Sequence, residues 1–541
     1  MAIRERLPRA EAKVARAQSQ PVVSTTTSGI ISFPRKGEAS ASESAKHIAS
    51  GIRSLTVQNA VNGVLGFVFL TMMLRLLSPS DYGLYSAALL VTTLGSSVAV
   101  FGLQFAATRF VAFMAHDEGG SQVVSRSIVV LSLVFTSVAT VVYIVLSPVL
   151  AEYFTRSESS DWIFVASGAW LFSITMSGIF QGLVQGLKKY QTLARILVSA
   201  NFATVGLTVL GLVEFHSVLV PIVAWVVYGA VVIGWSLAIT RRPLLVAIPS
   251  GAAGKTVKQV LRYSMPLGIA GIVTVATGAA DPMVVGGFLN SAQLGAYYAA
   301  IAISGGLGVI LFTPLNTAFF SESSSYANDP GKLSAGLRLA LRYTALALIP
   351  VSCALVGLSK QMIRLFSGGV SSYLLANPSL QMMSAFFLFV AMQGILTSLL
   401  LSTGRTTQVM LIGVVTVVLD VALSVLLVPS FGLLGAATSR TLVDVAGFLM
   451  ALYLARSYLR GVADVEFQIK LIASSLVMLG VLFGMSKFIS NRALTLIPYS
   501  VIGVAVLLFC ARLLHLLTEE DKQYLENFMP PRIGRLIRKL L

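Results

Sequence analysis

Long apolar runs recur along most of the chain, and short polar breaks separate them. A run of roughly 20 residues is long enough to cross a hydrocarbon core of about 30 Å as an α-helix. About fourteen runs reach this length: 54–77, 84–106, 127–149, 161–183, 191–213, 217–240, 262–286, 294–317, 338–359, 379–402, 407–428, 433–455, 467–487 and 494–515. The pattern predicts an all-α polytopic membrane protein with about fourteen transmembrane helices.

The amino-acid composition agrees with a membrane environment. Charged residues make up 11% of the chain and hydrophobic residues 56%, with a mean hydropathy of +0.83. A soluble protein carries about 25% charged residues, because its surface is exposed to water and is rich in charged side chains. Cys353 and Cys510 lie in apolar runs and are interpreted as packing residues, and the histidines are scattered. Neither a metal nor another cofactor is therefore expected.

The net charge of +17 is distributed between the apolar runs and at the two ends of the chain. With the N-terminus placed in the cytoplasm, 32 Lys and Arg residues fall in inside segments and 6 in outside segments. This bias predicts that both termini are cytoplasmic. The basic residues do not form a compact domain with aromatic stacking positions, so a nucleic-acid partner is not expected.

An internal repeat divides the chain. The segments that begin the second and eighth runs match at a constant offset of 212, at Leu77/Leu289, Gly83/Gly295, Tyr85/Tyr297, Ala87/Ala299 and Ala88/Ala300. Repeats separated by an even number of spans share one orientation, as in two-lobed transporters, although Gly and Tyr are also common at helix starts near the membrane surface. The predicted organisation is a disordered basic cytoplasmic tail (1–50), two six-helix lobes (51–245 and 255–456), two added helices (467–515) and a second basic tail (516–541).

The predicted outer loops are short, and the longest, 360–378, has fewer than about 20 residues. Integral-membrane glycosyltransferases and polymerases generally need a sizeable external loop or domain to house catalytic carboxylates. No Ser/His/Asp set and no Walker loop occurs either. The sequence therefore predicts a transporter rather than an enzyme.

Five motifs, in the order in which they occur, carry a family resemblance: 76–85 (LLSPSDYGLY), 102–109 (GLQFAATR), 185–190 (QGLKKY), 263–267 (YSMPL) and 429–437 (PSFGLLGAA). Together they cover roughly residues 51–456 and resemble the polysaccharide biosynthesis (Wzx-like) oligosaccharide flippases. These belong to the superfamily of multidrug, oligosaccharidyl-lipid and polysaccharide exporters.

The resemblance implies two lobes around a central cavity in the cell membrane. It also implies alternating-access transport of an isoprenoid-linked oligosaccharide from the cytoplasmic to the outer leaflet, alongside other glycan-assembly membrane proteins. Two alternatives stay open: a cation-coupled drug or small-molecule antiporter of the same superfamily, and a membrane-embedded glycosyltransferase or polymerase. The last two spans favour the flippase, because drug extruders typically have twelve.

Polar side chains inside or at the ends of the spans are candidates for the substrate cavity. They are Arg53, Gln58, Asn59, Asn62, Gln104, Arg109 and Asn316. The amides could hydrogen-bond sugar hydroxyls, and Arg53 and Arg109 could attract the carrier phosphate. The alternative for the amides is hydrogen bonding between helices without a transport role.

Carboxylates within the apolar runs are candidates for ion coupling, since an intramembrane charge is costly. Asp281 lies near the end of the seventh run, where it either binds a coupling cation or a sugar hydroxyl, or is a solvated, structural carboxylate near the outer mouth. Asp420 lies deep in the eleventh run. Arg440 and Asp444, at i and i+4, are expected to form an intrahelical ion pair with Asp420 as a third member.

Overall fold

In a computed structural model, the structure describes residues 41–113, 118–155, 160–244, 252–326, 329–459, 464–488 and 495–516. Almost all of these residues are α-helical, and none of them belongs to a strand. Most of the two predicted tails, 1–40 and 517–541, lies outside the described residues.

The helices follow one another with short connections. They are α1 (Ala41–Leu76), α2 (Pro79–Val100), α3 (Leu103–Phe113), α4 (Glu118–Val145), α5 (Ser147–Thr155), α6 (Asp161–Gly186), α7 (Tyr190–Phe215), α8 (Leu219–Leu244), α9 (Ala252–Phe288), α10 (Ser291–Ser325), α11 (Pro330–Ser367), α12 (Asn377–Ser402), α13 (Thr406–Ala455), α14 (Val465–Phe488) and α15 (Leu496–Leu513). A 3₁₀ turn, Ser371–Ala376, precedes α12.

Twelve of the described helices are long and apolar enough to cross a membrane, and a bent pair within α10, Ser291–Gly306 and Ile310–Ser325, makes thirteen. The 50-residue α13 contains a break at Gly432, where φ is +58°. Its two halves pack against each other as an antiparallel hairpin. The hydroxyls of Ser424 and Ser439, one on each half, are in hydrogen-bond contact at 2.9 Å. Counted as two crossings, this hairpin brings the described spans to fourteen. The predicted all-α polytopic class is confirmed, and its count of about fourteen depends on this division.

The two repeat segments begin with capped helices at equivalent positions. Ser78 caps α2 by accepting a hydrogen bond from the backbone N–H of Asp81 at 3.1 Å. Asn290, 212 positions later, caps α10 in a reciprocal box with Gln293. Caps of this kind satisfy orphan N–H groups of the first helical turn. Both repeats thus begin a span with an N-capping side chain, although the capping residue is a serine in one and an asparagine in the other.

The repeat segments pack directly on each other. A Cβ atom at Gly83 would clash with the backbone carbonyl of Ser291, and one at Gly295 would clash with the carbonyl of Pro79. The hydroxyls of Ser80 and Ser291 lie 2.7 Å apart at the same crossing. Equivalent segments that contact each other are expected where a two-fold axis passes between them. The division of the chain into two lobes and two added helices stays a prediction.

The C-terminal end of α2 packs against α9. Phe101 and Gly102 have positive φ and separate α2 from α3, so the span is broken there. A Cβ at Gly102 would clash with the carbonyl of Ser264, and one at Gly268 would lie 2.7 Å from the carbonyl carbon of Phe101. Residues 79–113 therefore cross α10 near their start and α9 near their kink, at glycines in both cases.

Substituting the glycines at the α2–α10 crossing should destabilise the protein. Gly83→Ala and Gly295→Ala place a methyl group against backbone, which no rotamer change relieves, so each should cost about 1–3 kcal/mol. Gly206→Ala is the matched control, because the space around Gly206 is open. We expect a lower thermal midpoint in detergent for the first two variants and an unchanged or higher one for the control. An unchanged midpoint for Gly83→Ala would show that the crossing is not close-packed.

Candidate functional site

A buried charged cluster lies where α9, α10 and the second half of α13 meet. The carboxylate of Asp281 is fully buried and accepts hydrogen bonds from Nη1 of Arg440 at 2.8 and 3.0 Å. It also accepts a short hydrogen bond of 2.5 Å from the hydroxyl of Tyr297. One carboxylate thus ties three spans together through charge-assisted hydrogen bonds.

The helix ends explain why these side chains meet. Asp281 lies about two turns before the end of α9, and Tyr297 lies about two turns after the start of α10. Because α9 and α10 are antiparallel neighbours joined by a two-residue turn, both residues reach the same depth. Arg440 lies about two turns beyond the Gly432 break, which brings it to that depth from the third side.

Asp420 extends the cluster into the first half of α13. Its side chain is 2% exposed, and its Oδ1 accepts hydrogen bonds from the hydroxyls of Ser439 at 3.1 Å and Ser424 at 3.3 Å. Its carboxylate also interacts electrostatically with Asp281 and Arg440. The hairpin of α13 therefore brings both predicted ion-coupling residues, Asp281 and Asp420, into one buried environment.

Carboxylates outnumber cations in this cluster. Asp281, Asp420 and Asp444 interact electrostatically with one guanidinium, that of Arg440. An excess of negative charge is unfavourable within a membrane-spanning bundle. Among the described residues, no group of three or more His, Cys, Asp and Glu side chains is arranged to hold a metal ion.

The structure corrects two interpretations of these residues. The ion pair of Arg440 is formed with Asp281 on α9, not within the helix with Asp444, because the face of α13 that carries Arg440 packs against α9. Asp444 still lies within electrostatic range of Arg440. A solvated position for Asp281 is also wrong, since none of its surface is exposed.

A cavity of about 690 Å³ lies between α2, α3, α6, α8 and α9. Two tryptophans, Trp170 and Trp225, form part of its wall, and hydroxyl side chains of α2 and α9 form another part. None of the described residues that line it is ionisable. The stretch of α9 that borders the cavity, Leu267–Val275, ends six residues before Asp281.

Among the predicted cavity residues whose side chains the structure describes, Gln104 lines this cavity and the others do not. Arg109 lies over the ring of Tyr263 at 4.3 Å, and Asn316 accepts a hydrogen bond from Ser398 at 2.8 Å.

On α1, the polar set is divided between buried and exposed positions. Gln58 is buried and Asn59 is exposed, while Oδ1 of Asn62 is buried without a hydrogen-bond partner. The side chain of Arg53 lies outside the described residues. The role of each of these residues stays a prediction.

The sequence interpretation did not place Tyr297, Ser424, Ser439, Trp170 or Trp225 in a site. One signal was available for Tyr297, which is a matching position of the internal repeat. Another was available for Ser424, which follows Asp420 by four residues and so shares its helix face. The tryptophans carried no such signal, because an aromatic residue in an apolar span is usually a packing residue.

Breaking the Asp281–Arg440 pair on one side should be more harmful than removing both charges. Arg440→Gln leaves a buried carboxylate without its cation, and we expect a loss of about 3–5 kcal/mol in stability. The double variant Asp281→Asn/Arg440→Gln should recover much of that loss, because neither residue is then charged. Thermal midpoints of the two single variants, the double variant and the parent in detergent form the double-mutant cycle. Additive effects of the two substitutions would show that the residues are not coupled.

The chain matches one family model and is similar to a curated glycan flippase. A family model described as polysaccharide biosynthesis protein matches residues 72–374, which is more than half of the chain. A probable low-salt glycan biosynthesis flippase, Agl15 of Haloferax volcanii, is 25% identical over 230 residues. That match spans 40% of this chain and 45% of the relative, so less than half of the relative's length is covered.

Two solved structures have the same fold. The lipid II flippase MurJ in an inward closed conformation superposes with a TM-score of 0.70 at 14% identity, over 85% of this chain and 98% of MurJ. An inward-facing multidrug resistance MATE family transporter of the MOP superfamily gives a TM-score of 0.60 at 13% identity, over 76% of this chain and 98% of the transporter. At these identities the likeness concerns the fold. By the extent of its family match, the chain belongs to the polysaccharide biosynthesis protein family, which its sequence motifs resemble.

Proposed function

We propose that this protein is a flippase that moves an isoprenoid-linked oligosaccharide from the cytoplasmic to the outer leaflet by alternating access. The observation that carries the proposal is the fold. This chain belongs to a polysaccharide biosynthesis family, and 85% of its length superposes on a lipid II flippase. The partial likeness to a probable glycan biosynthesis flippase points to the same class of cargo. In this proposal the protein transports its cargo and catalyses no reaction.

The number of spans supports a flippase over a drug antiporter. The MurJ superposition covers 85% of this chain, and that of the multidrug transporter covers 76%. The chain continues after the hairpin of α13 with two further apolar helices, α14 and α15. In this proposal the two helices are additions to a pair of six-helix lobes, and both termini are cytoplasmic.

Contacts at the proposed outer end support a state that is closed there. Ser80 and Ser291 are in hydrogen-bond contact at 2.7 Å beside the Gly83–Gly295 crossing. The hydroxyl of Tyr373, which follows α11, donates to the carbonyl of Leu77 at 3.3 Å. Release of cargo to the outer leaflet would require α2 to separate from α10, and the α1–α2 connection to separate from the 3₁₀ turn.

The charged cluster is the proposed site of energy coupling. Asp281 forms the ion pair with Arg440, and the carboxylates of Asp420 and Asp444 lie within electrostatic range of the same guanidinium. In this proposal a proton or a cation exchanges at Asp420 while Asp281 stays paired with Arg440. Because the cluster joins α9, α10 and both halves of α13, a change in its charge alters the attraction between these helices. Coupling of transport to an ion gradient would follow from that exchange.

Gene deletion followed by fractionation of glycolipids tests the flippase. A strain that lacks the protein should accumulate the complete lipid-linked glycan on the cytoplasmic side of the membrane. An unextended intermediate would instead indicate a glycosyltransferase or polymerase. Unchanged glycolipids with altered drug sensitivity would indicate the antiporter.

Asp420→Asn should remove ion coupling while leaving the fold intact. The amide keeps an oxygen that can accept from Ser424 and Ser439 but cannot release a proton at physiological pH. In proteoliposomes, we expect transport by this variant to lose its dependence on an imposed proton or sodium gradient. Glu214→Gln is the control, since Glu214 is an exposed carboxylate at the end of α7. Gradient-driven transport at the parent rate in Asp420→Asn would refute the coupling role.

A further inference from the structure

The last two turns of α9 are held from two opposite sides. On one side, the charged cluster binds the carboxylate of Asp281. Successive residues of an α-helix are rotated by about 100°, so Met283, Gly286 and Gly287 lie on the face opposite Asp281. The short helix α5 packs against that opposite face.

Two aromatic side chains of α5 make this contact. The ring of Phe154 lies on Gly286, where a Cβ atom would be 2.3 Å from it. The ring of Tyr153 lies on Gly287, where a Cβ atom would be 2.2 Å from its hydroxyl oxygen. That hydroxyl donates a hydrogen bond to the carbonyl of Met283 at 3.2 Å. The two rings can approach the backbone of α9 this closely because neither position of α9 carries a side chain.

Helix α5 is itself firmly anchored. Phe154 is 1% exposed and stacks on Phe164 of α6 with ring centroids 6.0 Å apart. The rings of Tyr153 and Phe154 meet edge to face at 5.0 Å. Since α5 lies in the first predicted lobe and α9 in the second, the contact between them crosses the predicted lobe boundary. Separation of the two lobes at their outer end would break it.

The backbone of α9 beside Asp281 has one fewer internal hydrogen bond than a regular helix. Pro282 lies within the helix and has no amide N–H, so it donates no hydrogen bond to the carbonyl of Gly278 four residues earlier. Contacts with neighbouring helices therefore contribute more to the orientation of this turn. These contacts are the charged cluster on one face and α5 on the other.

We propose that Tyr153 is a positioning residue for Asp281. Its hold on the end of α9 keeps the carboxylate directed at Arg440 and Tyr297 while the outer side is closed. Opening of the outer side would move α5 away from α9 and so weaken the ion pair of Asp281. Because linkage is reciprocal, a change of charge in the cluster then also alters how easily α5 separates from α9. This inference rests on the proposed coupling role of the cluster and adds how that site responds to the outer closure.

Reaction with dicyclohexylcarbodiimide measures the positioning of Asp281 without transport. This apolar reagent modifies protonated carboxyl groups within membrane-spanning segments, and mass spectrometry of the full-length protein after proteolysis locates the adduct. We expect labelling of Asp281 to rise about two- to fivefold in Tyr153→Phe, the change expected for the loss of one hydrogen bond. The phenylalanine keeps a ring on Gly287, so the thermal midpoint should stay close to that of the parent. Arg440→Gln, which removes the ion pair, gives the labelling expected when protection is lost completely.

Trp162→Phe is the matched control for the labelling experiment. Trp162 is an aromatic residue on the same predicted side of the membrane, and it is 45% exposed against 44% for Tyr153. We expect labelling of Asp281 at the parent level in this control. Unchanged labelling in Tyr153→Phe, or an equal rise in Trp162→Phe, would overturn the positioning role.

A transport assay tests the link to coupling. The probe is the lipid-linked glycan pool extracted from membranes of the source organism, in proteoliposomes with an imposed sodium or proton gradient. A weakened pair with Asp281 leaves Arg440 freer to neutralise Asp420, which opposes ion binding there. Tyr153→Phe should therefore need an about two- to fivefold higher concentration of the driving ion for half-maximal flipping.

The two experiments separate the two proposals. The parent's ion dependence in Tyr153→Phe would overturn the link between α5 and coupling and leave the flippase function standing. Absence of flipping by the parent protein would refute the proposed function. In that case the carbodiimide labelling still decides whether Tyr153 positions Asp281.

Discussion

The fully buried carboxylate of Asp281 imposes the strongest constraint in this bundle. A charge at that depth must be compensated within the protein, and here the compensation comes from Arg440 on α13 and from the hydroxyl of Tyr297 on α10. The pair sets the depth and rotation of α9 against both neighbours. It also depends on the Gly432 break, because without the reversal there Arg440 could not return to the level of Asp281.

Helix α9 connects the two candidate sites. Its residues Leu267–Val275 border the neutral cavity, and Asp281 on the same helix carries the charged cluster. Close glycine packing at Gly102 and Gly268 also places the α2–α3 kink against α9. A neutral aromatic cavity and a charged cluster thus lie along one helix. A displacement of that helix would change the geometry of both.

The parts of the structure that the sequence could predict depend on properties of single helices, such as length, hydropathy and repeated motifs. The apolar runs predicted the spans because each helix satisfies its own backbone and only length and hydropathy decide whether it crosses lipid. The repeat at offset 212 identified Gly83 and Gly295, which have a steric role at one crossing. The partner of Arg440 could not be predicted, because spacing along a helix reveals a neighbour at i+4 but not the face of another helix. The polar residues Gln58, Asn59 and Asn62 share that difficulty, since their burial depends on which helices pack against α1.

The sequence by itself determined the membrane class, the approximate number of spans, the repeat and the family resemblance. These properties follow from local hydropathy and from short motifs, which need no knowledge of distant contacts. Only the tertiary structure decided that Arg440 pairs with Asp281, that Ser439 donates to Asp420 across the hairpin of α13, and that Trp170 and Trp225 stack at a neutral cavity. Each of these contacts joins residues far apart in the chain or across a reversal, unlike the contact between Ser424 and Asp420, which lies within one turn. The packing of whole helices, rather than any local pattern, brings them to the same depth and face.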